Sequence, residues 1–251
     1  LSKGVIFTLD ATIALAIFLA SLVLFYSFFT TETAFGLRGA AIYTKSENFL
    51  FVEDLAETFS SVVNLKQSGQ DAVADQLFEL IRSQSEFPAN LKLYMFEVDN
   101  TTTTMLDNSP NVFEESLLFR RYTVFTLTRG IPEAGTDVDV NASTTTVNRS
   151  MIVQVGVTNS GGTTASSVLV ELLVLNLTDD LMSWTITPPS QTIASIAPGA
   201  TETVSFSVFI PEATVIDEYA ARAVVGAPIN QNGTDPFNVV RFGLVEMEVG
   251  I

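Results

Sequence analysis

The sequence predicts an α+β protein: a long N-terminal α-helix with an apolar first half, a small α/β segment, and a C-terminal antiparallel immunoglobulin-like β-sandwich. Three observations predict it. Residues 5–29 form an almost uninterrupted apolar run. Apolar residues then continue at helical spacing as far as Val62. From Asp137 onward, short β-branched runs alternate with Asn, Asp, Gly and Pro turn signals. The divisions that follow are a helix over 1–63, a helix/strand segment over 64–136 and the sandwich over 137–251.

The run VIFTLDATIALAIFLASLVLFYSFF, Val5 to Phe29, holds one charge, Asp10. In a helix rising about 1.5 Å per residue it spans roughly 37 Å, enough for a hydrocarbon core of about 30 Å. A secretory signal peptide has a shorter apolar region, about 7–15 residues, ending at a small-residue cleavage site. Phe25, Tyr26, Phe28 and Phe29 stand where that site would be, so the segment reads as retained. The first residue is Leu1 rather than Met, which reads either as removal of something upstream or as a trimmed start. Lys3 is the only basic residue before the run, and the positive-inside tendency puts that end in the cytoplasm and the remainder outside.

Beyond Phe29, the residues Phe35, Ile42, Phe49, Val52, Leu55, Phe59 and Val62 recur at steps of three, four or seven. Glu32, Lys45, Glu47, Glu53, Asp54 and Glu57 lie between them, which makes an amphipathic helix with one apolar stripe. Gly36 and Gly39 mark the place for a bend. Asn64 to Gly69 reads as a turn, and Asp71–Ser83 as a second helix with Val73, Leu77, Leu80 and Ile81 on one side. Leu91, Leu93 and Met95, or Tyr94, Phe96 and Val98, alternate as a strand, and Tyr122–Thr128 reads as another. Asn100–Thr104 reads as a polar loop and Gly130–Gly135 as a linker.

About eight strands fit into the last 115 residues. They are read at Asp137–Asn141, Met151–Thr158, Ser167–Leu177, Trp184–Thr187, Ile193–Ile196, Thr203–Ile210, Tyr219–Val225 and Asn238–Val249. That density suggests an immunoglobulin-like sandwich, without a disulfide because the chain has no Cys. Trp184 and Tyr219 are expected in its core.

Composition narrows the function. With no His and no Cys there is no Ser–His or Cys–His pair and no zinc site of the usual ligand types. No carboxylate pair, phosphate loop or Ser–Lys dyad stands out, so the expectation is no enzyme, no catalytic residue, no cofactor and no metal. Asp137-Val-Asp139, Asp179-Asp180 and Asn230–Asp235 lack the 12-residue ligand spacing of a dedicated calcium loop and read as solvated turns. A formal charge of −16 argues against nucleic acid, whose phosphates attract clustered Lys and Arg. The excess is unevenly spread: residues 1–30 are neutral, 31–136 hold 15 acids against 8 bases, and 137–251 hold 12 against 3. Five N-x-[ST] sequons, at Asn100, Asn141, Asn148, Asn176 and Asn232, are candidate N-glycosylation sites if the charged part is extracytoplasmic.

The opening Lys3-Gly4-Val5-Ile6-Phe7-Thr8-Leu9-Asp10-Ala11 resembles the start of archaeal type IV pilin-like proteins, the class III signal peptide superfamily of pilins and archaellins. VIFTLDATIALAIFLASL does not match the Gly-, Ile- and Val-rich opening of the flagellar type, which favours a pilus or adhesion filament. Val155–Val225 looks like the secreted immunoglobulin-like modules of archaeal surfaces, through its Asn159-Ser-Gly-Gly turn, its Ala197-Pro-Gly and its Tyr219-Ala-Ala-Arg-Ala-Val-Val.

The resemblance implies processing by a prepilin peptidase and a stay in the membrane before assembly. It then implies helical self-polymerisation by an assembly machinery into an extracellular filament with the β domains outside. In such a filament Phe7, Phe18, Phe25, Phe28 and Phe29 would pack the core, with Ala11, Ala14, Ala16 and Ala20 allowing close approach. A carboxylate in an apolar helix needs a partner. Lys3 lies seven residues before Asp10, about 10.5 Å along the axis, too far for a comfortable pair in one chain. A neighbour's Lys3 or α-amino group could meet Asp10 and set axial register; otherwise Thr8 or Asp10 caps the helix start. The alternative use of the same sequence is a single-pass surface protein whose sandwich binds an envelope or extracellular partner.

Overall fold

The computed structural model describes residues 39–50, 53–96 and 102–250. The helices are α1 (39–50), α2 (Glu53–Gln67) and α3 (Asp71–Ser83). The first strands are β1 (Ala89–Phe96), β2 (Thr102–Asn108), β3 (Ser116–Phe125), β4 (Val138–Asn141), β5 (Thr145–Thr146) and β6 (Arg149–Thr158). The others are β7 (Ala165–Leu175), β8 (Thr185–Thr187), β9 (Ser190–Ile196), β10 (Thr201–Ile210), β11 (Asp217–Val225) and β12 (Gln231–Gly250).

The expected fold class is corrected by this arrangement. Strands dominate the described residues, and the helices are three short ones rather than one rod. Of the rod expected over 1–63, the described part is α1 and α2, the latter running on to Gln67. Their buried apolar residues lie on one side, packed on a sheet. No described helix is long and apolar enough to cross a membrane. The apolar run 5–29, with Lys3, Asp10, Phe7, Phe18, Phe25, Phe28 and Phe29, lies outside the described residues, as does Asn100.

A helix-on-sheet platform comes first. Its antiparallel sheet runs β2-β1-β12-β3, using the second half of β12. Alternation along β1 sends Leu91, Leu93 and Met95 inward, where they meet Val245, Met247 and Val249 of β12. Ile42 and Leu50 of α1, Phe59 and Val62 of α2, and Phe78 and Ile81 of α3 close that core. Full burial of each such side chain contributes about 1.5–3 kcal/mol. Gly243 admits the Phe125 ring: a Cβ there would collide with it and with the carbonyl of Tyr94.

Two local expectations are also corrected. In α3 the buried residues are Ala74, Phe78 and Ile81, while Val73 and Leu80 are half-exposed. The large Phe78 sets the phase, and the smaller Val73 and Leu80 fall to its solvent side. Of the tract 100–104, expected as a polar loop, the described residues Thr102, Thr103 and Thr104 belong to β2, because threonine suits a pleated edge better than its polarity suggests.

The second unit is a sandwich. One sheet is β4-β6-β10-β8, and the other continues through β11, β7 and β9 from the first half of β12. Val153, Val155 and Val157 of β6, with Phe206 and Val208 of the neighbouring β10, share a single core with Val168 and Val170 of β7 in the other sheet. Tyr219 lies in that core and Trp184 packs half-buried against it. The 20-residue β12 belongs to both units: Gln231–Val239 pair with β11, and Arg241–Gly250 with β3.

Candidate functional site

The junction between platform and sandwich is built from the end of α2 and the loop before β11. Ile216 leaves the sandwich and is fully buried in the platform core. Asn64 donates from Nδ2 to the Ile216 carbonyl at 2.6 Å, and the Ile216 N–H donates to Gln67 Oε1 at 2.9 Å. Two amide side chains one turn apart thus satisfy both backbone groups of one residue, which burial would otherwise leave unpaired. Arg241, in β12, donates to the carbonyl of Glu212 in the same loop.

The segment expected as a linker is fastened too. The buried carboxylate of Glu218 accepts the N–H groups of Arg129 at 2.6 Å and Ile131 at 3.1 Å. Arg129 Nε pairs with Asp217 at 3.1 Å. Ala134 exchanges two backbone hydrogen bonds with Thr234 of β12, at 3.0 and 2.7 Å. With the shared strand, these contacts fix the sandwich relative to α2. The sequence reads Asn64 only as the start of a turn, and no local pattern marks its role, because its partner lies 152 residues away.

Beside the junction stands an aromatic group. Tyr219 donates its phenol to the carbonyl of Val215 at 3.0 Å, a tyrosine corner at the start of β11. Trp184 lies 4.9 Å from its ring centroid and Phe237 6.1 Å. Burial, assisted by the Asp217 charge, pushes the Tyr219 phenol up to about 12.

At the sandwich loops, Asn159 ties two turn signals together. Its Nδ2 donates to the carbonyls of Thr163 at 2.8 Å and Ile196 at 2.9 Å, and its Oδ1 accepts Gly161 N–H at 3.1 Å. Its own carbonyl accepts the N–H of Gly199, which adopts a positive φ in the Pro198-Gly199 turn.

The four described sequons differ in presentation. Asn141 and Asn148 are exposed, as are Ser143 and Ser150. Asn176 is an Asx turn: its Oδ1 accepts from the N–H groups of Thr178 and Asp180 and from the Thr178 hydroxyl, and its Nδ2 leans on Asp180 at 3.3 Å. Asn232 is exposed but its Thr234 is buried. Between them, a Cβ on Gly233 would collide with the Val138 carbonyl.

The acidic loops are engaged by the protein itself. Asp137 accepts from Ser160 at 2.7 Å and Gln231 at 3.0 Å, and Asp235 from the Ala142 N–H at 2.6 Å. Asp179 pairs with Arg222 at 2.9 Å. Hydrogen bonds from Thr178, then Asn176, hold the Asp180 carboxyl below its ordinary range. Among the described residues no group of three or more acidic, His or Cys side chains is placed to hold a metal ion.

Comparison with known proteins bears on the sandwich. No curated protein matches the sequence. Among solved structures, the CARDB domain of a Pyrococcus furiosus protein, crystallised with di-metal ions, is 19% identical, with 42% of this chain and 97% of that one covered and a TM-score of 0.28. A Paenibacillus sp. cycloisomaltooligosaccharide glucanotransferase with bound cycloisomaltoheptaose is 24% identical, covering 41% of this chain and 14% of that one at a TM-score of 0.31. The periplasmic chaperone SfaE is 10% identical over 41% of this chain and 55% of its own, at 0.29. The model of the CARDB family matches residues 133–231, from the residue before the Ala134 bridge to the first residue of β12. Over that stretch the chain carries an immunoglobulin-like β-sandwich of the CARDB type.

Proposed function

We propose that the chain is a structural subunit of an extracellular filament of the archaeal type IV pilus kind, used in adhesion. It polymerises with copies of itself through the N-terminal apolar segment and displays the CARDB-type sandwich outward. The observation that carries this reading is the order of parts along one chain. A 25-residue apolar run precedes helices buried on a sheet, and the Asn64–Gln67 grip on Ile216 holds the sandwich to those helices. A subunit anchored in a filament core and pulled through its outer domain needs such a fixed joint. The role involves no catalysis, which agrees with a CARDB-type domain and with a chain lacking His and Cys. The subunit would wait in the membrane for a prepilin peptidase and the assembly machinery, then leave it.

Electron microscopy of the full chain after detergent removal tests the reading. Helical filaments with residues 5–29 at the axis are expected. Particles that stay single, or remain in lipid vesicles without filaments, reject it in favour of a single-pass surface protein whose sandwich binds an envelope partner.

A further inference from the structure

The platform sheet has a second face, opposite its helices. Alternation puts Tyr94 and Phe96 of β1, Tyr122 and Val124 of β3, and Phe242 and Leu244 of β12 on it. Tyr122 is 72% exposed, Phe242 53% and Val124 42%. Phe96 and Tyr122 stack over β12 with centroids 6.1 Å apart and planes at 14°, beside a shallow groove of about 560 Å³. Contiguous exposed apolar surface of this kind marks interaction sites.

Beside the aromatic rows runs a row of charges, one per strand. The register places Asp107, Lys92, Glu246 and Arg120 side by side across β2, β1, β12 and β3. Lys92 pairs with Asp107 at 3.2 Å and Arg120 with Glu246 at 2.9 Å. The signs therefore alternate, negative, positive, negative, positive.

We propose that this face is a homotypic interface, on which a second copy of the chain packs about a two-fold axis parallel to the strands. The charge row decides both the partner and the axis. Rotation about an axis along the strands reverses the row left to right and keeps each residue at its own height. Asp107 then faces Arg120 of the second copy, and Lys92 faces its Glu246. In the same operation Tyr94 meets Leu244, and Phe96 meets Phe242. The other in-plane axis, along the row, would set Asp107 on Asp107 and Lys92 on Lys92. A two-fold interface must be self-complementary, and this row complements itself in one orientation only.

Size agrees with a modest contact. Four strands about 4.8 Å apart, each about seven residues at 3.4 Å, give a face of roughly 19 by 24 Å. Two such faces bury on the order of 1,000 Å², the lower bound of a specific interface. The inference does not rest on the filament reading, because it uses no residue before Lys92.

The chain has no cysteine, so a single introduced thiol reports one position. In full-length chain held in detergent micelles, Phe242→Cys with a short bismaleimide is expected to give covalent dimers at least tenfold faster than Leu80→Cys, an exposed site on α3. Tyr122→Glu in the same background should bring the rate down to that control. Equal rates at the two sites, or a Phe242→Cys thiol shielded from maleimide in a monomer, overturn the proposal. A second measurement addresses the axis. Inverting the whole row (Asp107→Lys, Lys92→Glu, Glu246→Lys, Arg120→Glu) preserves the pairs within each chain. The inverted chain should cross-link with itself, while its cross-linking to the parent falls at least about tenfold below random mixing. Random mixing of the two would sink the charge-set register.

Discussion

Asn64 reaches across from α2 to the sandwich side of the molecule and donates a 2.6 Å hydrogen bond to the carbonyl of Ile216, whose side chain is fully buried among the platform helices and strands. A polar grip and an apolar anchor thus act on one residue. The combination explains how a loop 152 residues away in sequence becomes part of the platform core.

Asn64→Ala leaves the Ile216 carbonyl without that donor, so a loss of about 1–3 kcal/mol is expected in urea unfolding. Ile216→Ala removes the anchor and leaves a cavity, with an expected cost of about 2–5 kcal/mol. Both substitutions should also raise proteolytic cleavage in the 211–216 loop under native conditions. Wild-type stability in both variants would show that the joint is not where the units are held.

Asn159 makes a comparable test inside the sandwich. Its amide satisfies two buried or half-buried carbonyls, so Asn159→Ala should cost about 1–3 kcal/mol. Asn159→Asp keeps the acceptor for Gly161 N–H but places a carboxylate oxygen against the Thr163 and Ile196 carbonyls. It should therefore destabilise at neutral pH at least as much as alanine, and recover partly in acid as the carboxyl takes a proton. The check is unfolding midpoints of the three chains at pH 7 and near pH 4.

The contrast between legible and illegible parts has a physical cause. The sandwich strands announce themselves because each buries one face, so Val153, Val155 and Val157 alternate with exposed or half-exposed neighbours. The helical stripe of Ile42, Leu55, Phe59 and Val62 was equally plain, since all four are buried. By contrast, β12 could not be read as one strand. Asp235 and Pro236 resemble a turn, yet Pro236 sits where the strand has a paired neighbour only in β11, so its missing N–H is tolerated. Its partnership with β1 and β3 joins residues more than 100 positions apart, and no local pattern encodes that. The amides of Asn64 and Gln67 were hidden for the same reason: their partner is a distant backbone, chosen by tertiary packing.

The sequons should not be modified equally if glycosylation acts on folded protein. An acceptor needs a free amide nitrogen and an accessible hydroxyl two residues on. Asn141 and Asn148 offer both, with exposed Ser143 and Ser150. The Asn176 amide and Thr178 hydroxyl are bound up in one Asx turn, and Thr234 is buried behind Asn232. Glycopeptide mass spectrometry of the native protein should find occupancy at Asn141 and Asn148 severalfold above that at Asn176 and Asn232. The reverse order would mean that modification precedes folding.

Tyr219 supplies a prediction in pH. Its phenol is buried and hydrogen-bonded to Val215, and its folded pKa is raised to about 12 from an ordinary 10.0. A raised pKa means that the folded chain keeps a proton which the unfolded chain gives up, so this group's stabilisation is whole below pH 10 and is lost as pH rises from there towards 12. Tyr219→Phe removes the titrating group and the corner hydrogen bond while keeping the ring against Trp184 and Phe237. At neutral pH the variant should be less stable by about 0.5–1.5 kcal/mol, the net worth of one neutral hydrogen bond. Between pH 10 and 12 the wild-type advantage should shrink, because only the wild type loses this proton-linked term. Lys66 and Lys92, raised first by their hydrogen bonds to Asp71 and Asp107, are present in both chains, so their titration enters both curves alike. The difference between the two curves isolates the phenol. A gap that stays constant from pH 7 to 12 would show that Tyr219 titrates as an exposed tyrosine does, and that the corner is not closed in solution.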